Sequence, residues 1–244
     1  MKVLDCPWEI ENIGKKTVEI SFLMDEKIDK TSVLEAIQGY DYMVAKIPSG
    51  NISCLLGMQQ LGFQVIECQL KISKKTKNFD YDARLLRLLA KDFSCRVIDT
   101  EEGLRAVLNK MTSSMFTTDR VFLDEKLGPE LGLNRYRNWI SSEYKRGTVL
   151  FEYILKGTAV GFGLLRIDNH VMDGILGGIY EEFQGQGLGL LTAASAFLYI
   201  KQFDIPVKMM HTAISSNNMP VLDMYDYLRF KVDDIQYVLV KHNN

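Results

Sequence analysis

Short apolar runs recur along the chain between polar turns, and residues 17–22 alternate with the period of two that is typical of a half-buried strand. We predict strands at residues 17–22, 42–47, 64–72, 97–98, 149–155, 158–167, 175–180, 207–214 and 235–241. Helical spacing or cap residues predict helices at residues 32–38, 51–60, 83–93, 100–115, 134–144, 190–203 and 220–227. From residue 97 the order is β-α-α-β-β-β-loop-α-β-α-β, which indicates an α/β fold with a mixed, mostly antiparallel sheet flanked by helices.

Polar or irregular stretches separate these predicted strands and helices. Residues 73–78 are short, polar and basic, and we expect a solvated linker there rather than a phosphate-binding patch. Two units follow from this linker, residues 1–78 and 79–244. Residues 83–93 either form a helix or close the first unit, and residues 116–133 are expected to be irregular.

A glycine-dense loop stands between the predicted strand 175–180 and the apolar helix after it. Its residues are Gln184, Gly185, Gln186, Gly187, Leu188 and Gly189. The first N–H groups of a helix have no internal partner and lie at the positive end of its dipole, while glycine lets an anion approach the backbone. The loop therefore predicts a phosphate or pyrophosphate site. It matches neither the Walker A loop nor the G-x-G-x-x-G spacing, and a glycine turn that binds nothing is the alternative.

A second motif begins where the strand 207–214 ends. Ser, Asn and Pro residues at 215–220 predict the start of a helix. Asn218 and Tyr225 are seven residues apart, about two turns, so both lie on one side of that helix. Leu228-Arg229-Phe230 closes it. The alternative interpretation makes Asn218 a cap only and Tyr225 a core aromatic residue.

The two motifs together resemble the GNAT (GCN5-related) N-acyltransferases. The loop is similar to the family's Gln/Arg-x-x-Gly-x-Gly/Ala sequence, and Asn218, Tyr225 and Phe230 are similar to its Asn-x6-Tyr signature, with Arg229 in place of the usual Gly. The resemblance implies that residues 184–189 bind the pyrophosphate of acyl-CoA and that Asn218 contacts its pantetheine arm. It also implies a backbone N–H near Ile179 that binds the reacting carbonyl oxygen, and proton donation from Tyr225 to the departing thiolate.

The internal echo of this chain is a segment near the N-terminus that is similar in sequence to the motif around Asn218 and Tyr225. The sequence from Asn51 aligns with that from Asn218 at a constant offset of 167, with Leu, Phe and Val residues repeated in register. Met58 stands where the second segment has Tyr225, and no glycine loop precedes the first segment. We therefore expect residues 1–78 to be a partial, inactive GNAT-like lobe, and chance similarity between two helix–strand units is the alternative.

The whole chain resembles the bacterial sugar-nucleotide branch of this family, typified by TDP-fucosamine acetyltransferase, through segments such as FTTDRVFLDEKLG, NRYRNWI and HTAISSNNMPVLDMYDYLRF. This implies transfer of an acetyl or 3-hydroxybutyryl group from acyl-CoA to the amine of a dTDP-linked amino-dideoxy sugar, for lipopolysaccharide or O-antigen synthesis. Candidate acceptor-binding residues are Arg120 and Arg135 for the diphosphate, Tyr136 and Trp139 for the base, and His211. Asp173, Glu181, Glu182 and His211 are candidates for a general base. Each of these residues also has an ordinary packing or surface role as its alternative.

Composition narrows the remaining classes. The 244 residues carry a net charge of −2, which does not indicate a nucleic-acid-binding surface. They are 47% hydrophobic, which is enough to form an ordinary hydrophobic core. Four scattered cysteines and three histidines argue against a zinc site and suit a reducing cytoplasm. Neither a signal peptide nor a membrane span is predicted. A homodimer is implied by the resemblance alone. The competing functions are a GNAT acting on another amine and a non-catalytic acyl-CoA-binding relative.

Overall fold

The structure is a computed structural model that describes residues 1–79, 81–90 and 92–243. Within these residues ten strands form one mixed sheet: β1 (Lys2–Asp5), β2 (Thr17–Ser21), β3 (Tyr42–Pro48), β4 (Gln64–Lys75), β5 (Phe93–Val97), β6 (Val149–Leu155), β7 (Thr158–Asp168), β8 (Val171–Ile179), β9 (Met209–Ser215) and β10 (Lys231–His242). The helices are α1 (Trp8–Ile13), α2 (Lys30–Ala36), α3 (Ile52–Gln60), α4 (Ala83–Leu89), α5 (Glu101–Lys110), α6 (Arg120–Leu123), α7 (Pro129–Lys145), α8 (Gly189–Gln202) and α9 (Met219–Tyr227).

The strands follow the order β1-β2-β3-β10-β4-β9-β8-β7-β6-β5 across the sheet. Two neighbouring pairs, β2–β3 and β8–β9, are parallel, and the others described are antiparallel. The predicted fold class, a mixed and mostly antiparallel sheet flanked by helices, is confirmed.

The predicted linker at 73–78 is wrong. Ser73 and Lys74 are buried, because β4 continues through Lys75 and pairs with the start of β9. The ammonium of Lys74 donates to the Leu228 carbonyl oxygen at 2.7 Å, so a lysine that reads as solvated is held inside the fold. Residues 76–78 then form one turn of 3₁₀ helix.

Several element boundaries also differ from the prediction. Strand β5 begins at Phe93, inside the segment predicted as helix, and residue 91 of that segment lies outside the described residues. Helix α5 ends at Lys110 because Met111 adopts an extended backbone, with φ −76° and ψ 132°. Helix α7 begins at Pro129, whose ring suits the first helical turn. The short elements β1, α1 and α6 were not predicted, since short amphipathic segments carry little periodic signal.

The internal echo is a repeat of structure at the same offset of 167. Strands β3 and β9 cover 42–48 and 209–215, helices α3 and α9 cover 52–60 and 219–227, and strands β4 and β10 cover 64–75 and 231–242. We call residues 17–75 the first copy and residues 171–242 the second copy. Gln69 of β4 is directly opposite Gln236 of β10. Since these two positions also differ by 167, a local twofold axis passes between them.

The two copies exchange their last strands. β10 lies between β3 and β4 of the first copy, and β4 lies between β10 and β9 of the second. Both copies therefore contribute to one continuous sheet, and the division at residue 78 stays a prediction.

Helices cover both faces of the sheet. On one face α2 and α3 enclose the buried side chains of the first copy, and α8 and α9 enclose those of the second. On the other face α1, α5, α6 and α7 cover the remaining clusters. This leaves open the part of the second face between α7 and the centre of the sheet, where the site lies.

Candidate active site

The parallel strands β8 and β9 separate part of the way along their length. Their pairing ends at Gly174 and Thr212, although β8 continues to Ile179 and β9 to Ser215. A β-bulge at Ile175 shifts the register of β8 against β7 at this point, and bulges bend the strand that carries them. We call the resulting opening the β8–β9 cleft. A main cavity of about 920 Å³ includes it and reaches both strands.

Tyr225 lies at the closed end of this cleft. Its side chain comes from α9, is 8% exposed and borders the main cavity. The phenol is hydrogen-bonded to Thr212, and the Thr212 hydroxyl donates to the Gly174 carbonyl oxygen at 2.8 Å. Burial raises the pKa of Tyr225 to about 12, and the hydrogen bond with Thr212 opposes the rise. The residue therefore keeps its proton at neutral pH.

The backbone of Ile179 faces the cleft. In an antiparallel pair, one residue directs its N–H and C=O groups toward the partner strand, and the next residue directs both groups away from it. The Tyr180 N–H donates to the Val160 carbonyl oxygen of β7, so the groups of Ile179 point to the opposite edge of β8. In agreement, the Ile179 carbonyl oxygen accepts a 3.4 Å hydrogen bond from Gln184. The Ile179 N–H is thus available to an oxygen in the cleft, as the resemblance implies.

The glycine loop continues from β8 into α8. Gly185 and Gly187 have φ of 73° and 72°, and no atom of the other described residues beyond the chain neighbours lies within 4 Å of the position that a Cβ would take at either residue. Leu188, the N-cap of α8, makes no capping hydrogen bond through its side chain. Among the described residues, the N–H groups of 185–189 find no acceptor. An uncapped helix start with open backbone donors is suited to an anion.

Asn218 and Asn51 are equivalent residues of the two copies and differ in one respect. Each is the N-cap of its helix, and each side-chain oxygen accepts from the N–H three residues later. The amide nitrogen of Asn51 donates to the carbonyl oxygens of Leu23 and Glu26, at 3.1 and 2.8 Å. The amide nitrogen of Asn218 has no partner among the described residues, and Asn218 borders the main cavity. The first copy satisfies its amide internally, whereas the second leaves it available to a ligand.

The arginines predicted to bind a diphosphate border the main cavity but are held by Glu9. The guanidinium groups of Arg120 and Arg135 approach one Glu9 carboxylate oxygen at 3.0 and 2.9 Å, and that side chain is 2% exposed. Burial alone would raise the pKa of Glu9, but Arg135 and Arg120 outweigh it and hold the pKa below its usual value. Asp119 adds a longer contact to Arg135, at 3.8 Å.

Of the other predicted acceptor-side and general-base residues, some border the main cavity and others are exposed outside it. Tyr136 and Trp139 border the main cavity and stack on each other at 6.0 Å, with Tyr136 almost fully buried. Asp173 and His211 are side by side across the β8–β9 pair and also border the cavity. Glu181 and Glu182 are exposed, in the turn between β8 and the loop.

Sequence analysis missed Glu67 and Thr212. Glu67 is buried in β4 and borders the main cavity, where Ser215 and the Arg120 N–H contact its carboxylate. Burial raises the pKa of Glu67 above its usual value despite these hydrogen bonds. A signal existed, because Glu67, Gln69 and Lys71 alternate along a central strand and so share one face.

The chain was compared with known proteins by sequence and by structure. A search with protein-family models finds no match, and a search of curated proteins finds none. A functionally unknown conserved protein from Staphylococcus epidermidis matches in structure at 16% identity and TM-score 0.64, over 98% of this chain and 89% of its own. A GCN5-related N-acetyltransferase from Sphaerobacter thermophilus matches at 11% identity and TM-score 0.60, over 99% and 75%.

A third solved structure holds a GCN5-related glucosamine N-acetyltransferase region within a fungal multi-domain GH3 β-N-acetylglucosaminidase. It matches at 12% identity and TM-score 0.61, over 98% of this chain and 30% of its own. These likenesses show that the chain has the GNAT fold. Each helix in the described part of the chain is too short or too polar to span a bilayer.

Proposed function

We propose that this protein is an acyl-CoA-dependent N-acyltransferase whose acceptor is the amine of a nucleotide-linked amino sugar. The β8–β9 cleft is the observation on which the proposal rests. It brings a buried, protonated phenol, an inward-facing backbone N–H and an uncapped helix start to one cavity.

The residues around the cleft fit acyl-CoA. The open N–H groups of 185–189 match a pyrophosphate, and the unpartnered amide of Asn218 matches the amide and hydroxyl groups of a pantetheine arm. When bound, acyl-CoA supplies an activated thioester. In the first copy the chain's own carbonyl groups occupy the amide of Asn51, so we propose one acyl-CoA site per chain.

In the proposed reaction the acceptor amine attacks the thioester carbon and negative charge grows on its oxygen. The Ile179 N–H donates to that oxygen, and a donor already fixed where the charge develops stabilises the transition state. Tyr225 gives its proton to the departing sulfur, and the proton that the attacking nitrogen loses as the amide forms restores the phenol. The burial that raises its pKa to about 12 also keeps it protonated until the carbon–sulfur bond breaks.

The ammonium form of the acceptor must lose a proton before it attacks. Asp173, His211 and Glu67 border the main cavity and are able to accept it. We favour Glu67, since its burial raises its pKa and makes it a stronger base than an exposed carboxylate. Positioning of the two substrates supplies a further part of the rate.

The choice of acceptor rests on the sequence resemblance and on the acceptor side of the cavity. The fungal protein region with the same fold is a glucosamine N-acetyltransferase, and glucosamine is an amino sugar. The stacked rings of Tyr136 and Trp139 offer an aromatic wall for a base or a sugar. Amines of proteins, antibiotics or small metabolites are the alternative acceptors, and the following experiment separates them.

Thiol release tests the proposal directly. We expect turnover when acetyl-CoA or 3-hydroxybutyryl-CoA is combined with one member of a panel of dTDP-linked 3- and 4-amino-dideoxy sugars. Turnover only with peptide or antibiotic amines would keep the acyltransferase and replace the acceptor. Failure to bind CoA at all, by calorimetry, would refute the proposed function.

A further inference from the structure

A second cavity adjoins the main one on the acceptor side of the sheet. This side cavity has a volume of about 550 Å³ and is bordered by β2, β3 and β4 of the first copy and by β10 of the second, together with Met1 and Lys2. Lys46, Gln69 and Lys71 border both cavities. The acceptor side is therefore one groove that runs from the β8–β9 cleft onto the first copy.

The length of this groove exceeds that of a single sugar. It crosses the strands in the order β8-β9-β4-β10-β3-β2. Five steps between neighbouring strands span roughly 24 Å, because strands lie about 4.8 Å apart. A monosaccharide at the cleft would leave the part over the first copy unused.

The junction of the two cavities carries cations and unpartnered amides. Lys46 pairs with Glu19 at 2.9 Å, and Lys71 pairs with Asp234 at 3.2 Å. Between them lie the opposed amides of Gln69 and Gln236, which have no hydrogen-bond partner among the described residues. Side-chain amides and lysine ammonium groups are donors that suit phosphate oxygens.

Lys71 is also more available to a ligand than the arginines. The Lys71 and Asp234 side chains are 49% and 33% exposed, and ion pairs this open to water contribute little and exchange readily. Arg120 and Arg135 neutralise a carboxylate that is 2% exposed, which would be left as an unpaired buried charge if they turned to a ligand. A phosphate in the groove is therefore expected at the lysine junction.

We infer that the nucleoside diphosphate of the proposed acceptor lies on Lys46, Lys71, Gln69 and Gln236, with the nucleoside reaching the side cavity. The inference rests on the proposed function and assigns the carrier group of the acceptor to three residues of the first copy and to Gln236 of the second. In this arrangement the first copy has lost its own acyl-CoA site and holds the carrier of the second copy's substrate.

Calorimetric binding of dTDP and UDP to the CoA-saturated protein tests the inference, because saturation closes the acyl-CoA site to nucleotides. We expect wild type to bind at least one of them, and Lys46→Gln with Lys71→Gln to weaken it tenfold or more. Lys71→Gln alone, at an exposed side chain, guards against misfolding and should weaken binding severalfold. Lys126→Gln with Lys156→Gln, at exposed lysines outside the groove, is the matched control and should change affinity less than twofold.

Inorganic pyrophosphate, titrated in parallel, separates the diphosphate from the nucleoside. Equal nucleotide affinity in wild type and the lysine variants would overturn this inference alone. Absence of nucleotide binding to a protein that binds CoA would overturn both the inference and the nucleotide-linked acceptor, and would leave the acyl-CoA-dependent reaction standing. If the wild-type protein bound a nucleotide but not CoA, the proposed function would be overturned, and the assignment of the groove to a nucleotide would stand. A peptide amine that competes with neither nucleotide but is acylated would also refute the inference.

Discussion

Asn218→Asp separates ligand binding from helix capping. The aspartate keeps the side-chain oxygen that caps α9, and Asp caps as well as Asn, so stability should change little. The variant loses the amide donor that faces the main cavity. Two hydrogen bonds at about 0.5–1.5 kcal/mol each give a loss of about 1–3 kcal/mol, which is roughly a 5- to 150-fold rise in the Kd for acetyl-CoA.

Asn51→Asp is the same substitution at the equivalent residue and should have the opposite effect. Its amide nitrogen donates to Leu23 and Glu26, so the change removes two internal hydrogen bonds and places a carboxylate against two carbonyl oxygens. We expect the free energy of unfolding to fall by about 1–3 kcal/mol. The affinity for acetyl-CoA should not change.

Calorimetric titration of CoA and urea unfolding of both variants provide the two readouts. A CoA affinity for the Asn218 variant within twofold of wild type would remove this amide from the site. A weakened CoA affinity in the Asn51 variant would show that the first copy takes part in cofactor binding, against the reasoning from its satisfied amide.

Four further changes test other parts of the site. Tyr225→Phe should lower kcat by at least tenfold with CoA affinity unchanged, because the hydroxyl acts only as the carbon–sulfur bond breaks; unchanged turnover would exclude it. Gly187→Ala, at φ 72°, strains the loop by about 1–2 kcal/mol and should weaken CoA binding about tenfold, whereas Gly157→Ala, a turn glycine at φ 77° outside the cleft, should not. Glu67→Gln should remove the acid limb of the kcat/KM profile, which lies above the usual carboxylate range because burial raises the pKa of Glu67; an unaltered limb would assign the base elsewhere. Glu9→Gln should cost about 3–5 kcal/mol in urea unfolding at neutral pH. The lowered pKa of Glu9 contributes stability that is present above about pH 4.3 and lost as pH falls through its folded pKa, so the variant should lose less stability on acidification than wild type.

The local parts of the fold were predictable from sequence. The glycine loop and the cap at Asn218 depend on residues within a few positions of each other, and both form as expected. The offset of 167 between equivalent elements was also visible, since paired apolar positions recur in register. The binding role of these positions stays a prediction.

Other features depend on residues distant in the chain. Arg120 and Arg135 read as free cations because their partner, Glu9, is more than a hundred positions away. The opening of the cleft depends on a bulge at Ile175 and on the end of pairing with β9, and neither has a composition signal. Alternation identifies β4 as a strand but does not specify its neighbours, so Glu67 was not assigned to the cavity.

The exchanged strands have a consequence for how the chain acquires its structure during synthesis. β3 and β4 emerge early, yet the strand that belongs between them, β10, is translated after the other nine described strands. The hydrogen bond from Lys241 to the Leu61 carbonyl oxygen closes a separation of 180 residues. Until that closure, β3 and β4 present open edges that other chains can pair with. Contacts of such long range slow folding, and a nascent chain arrested before β10 would be prone to aggregate or to recruit a chaperone.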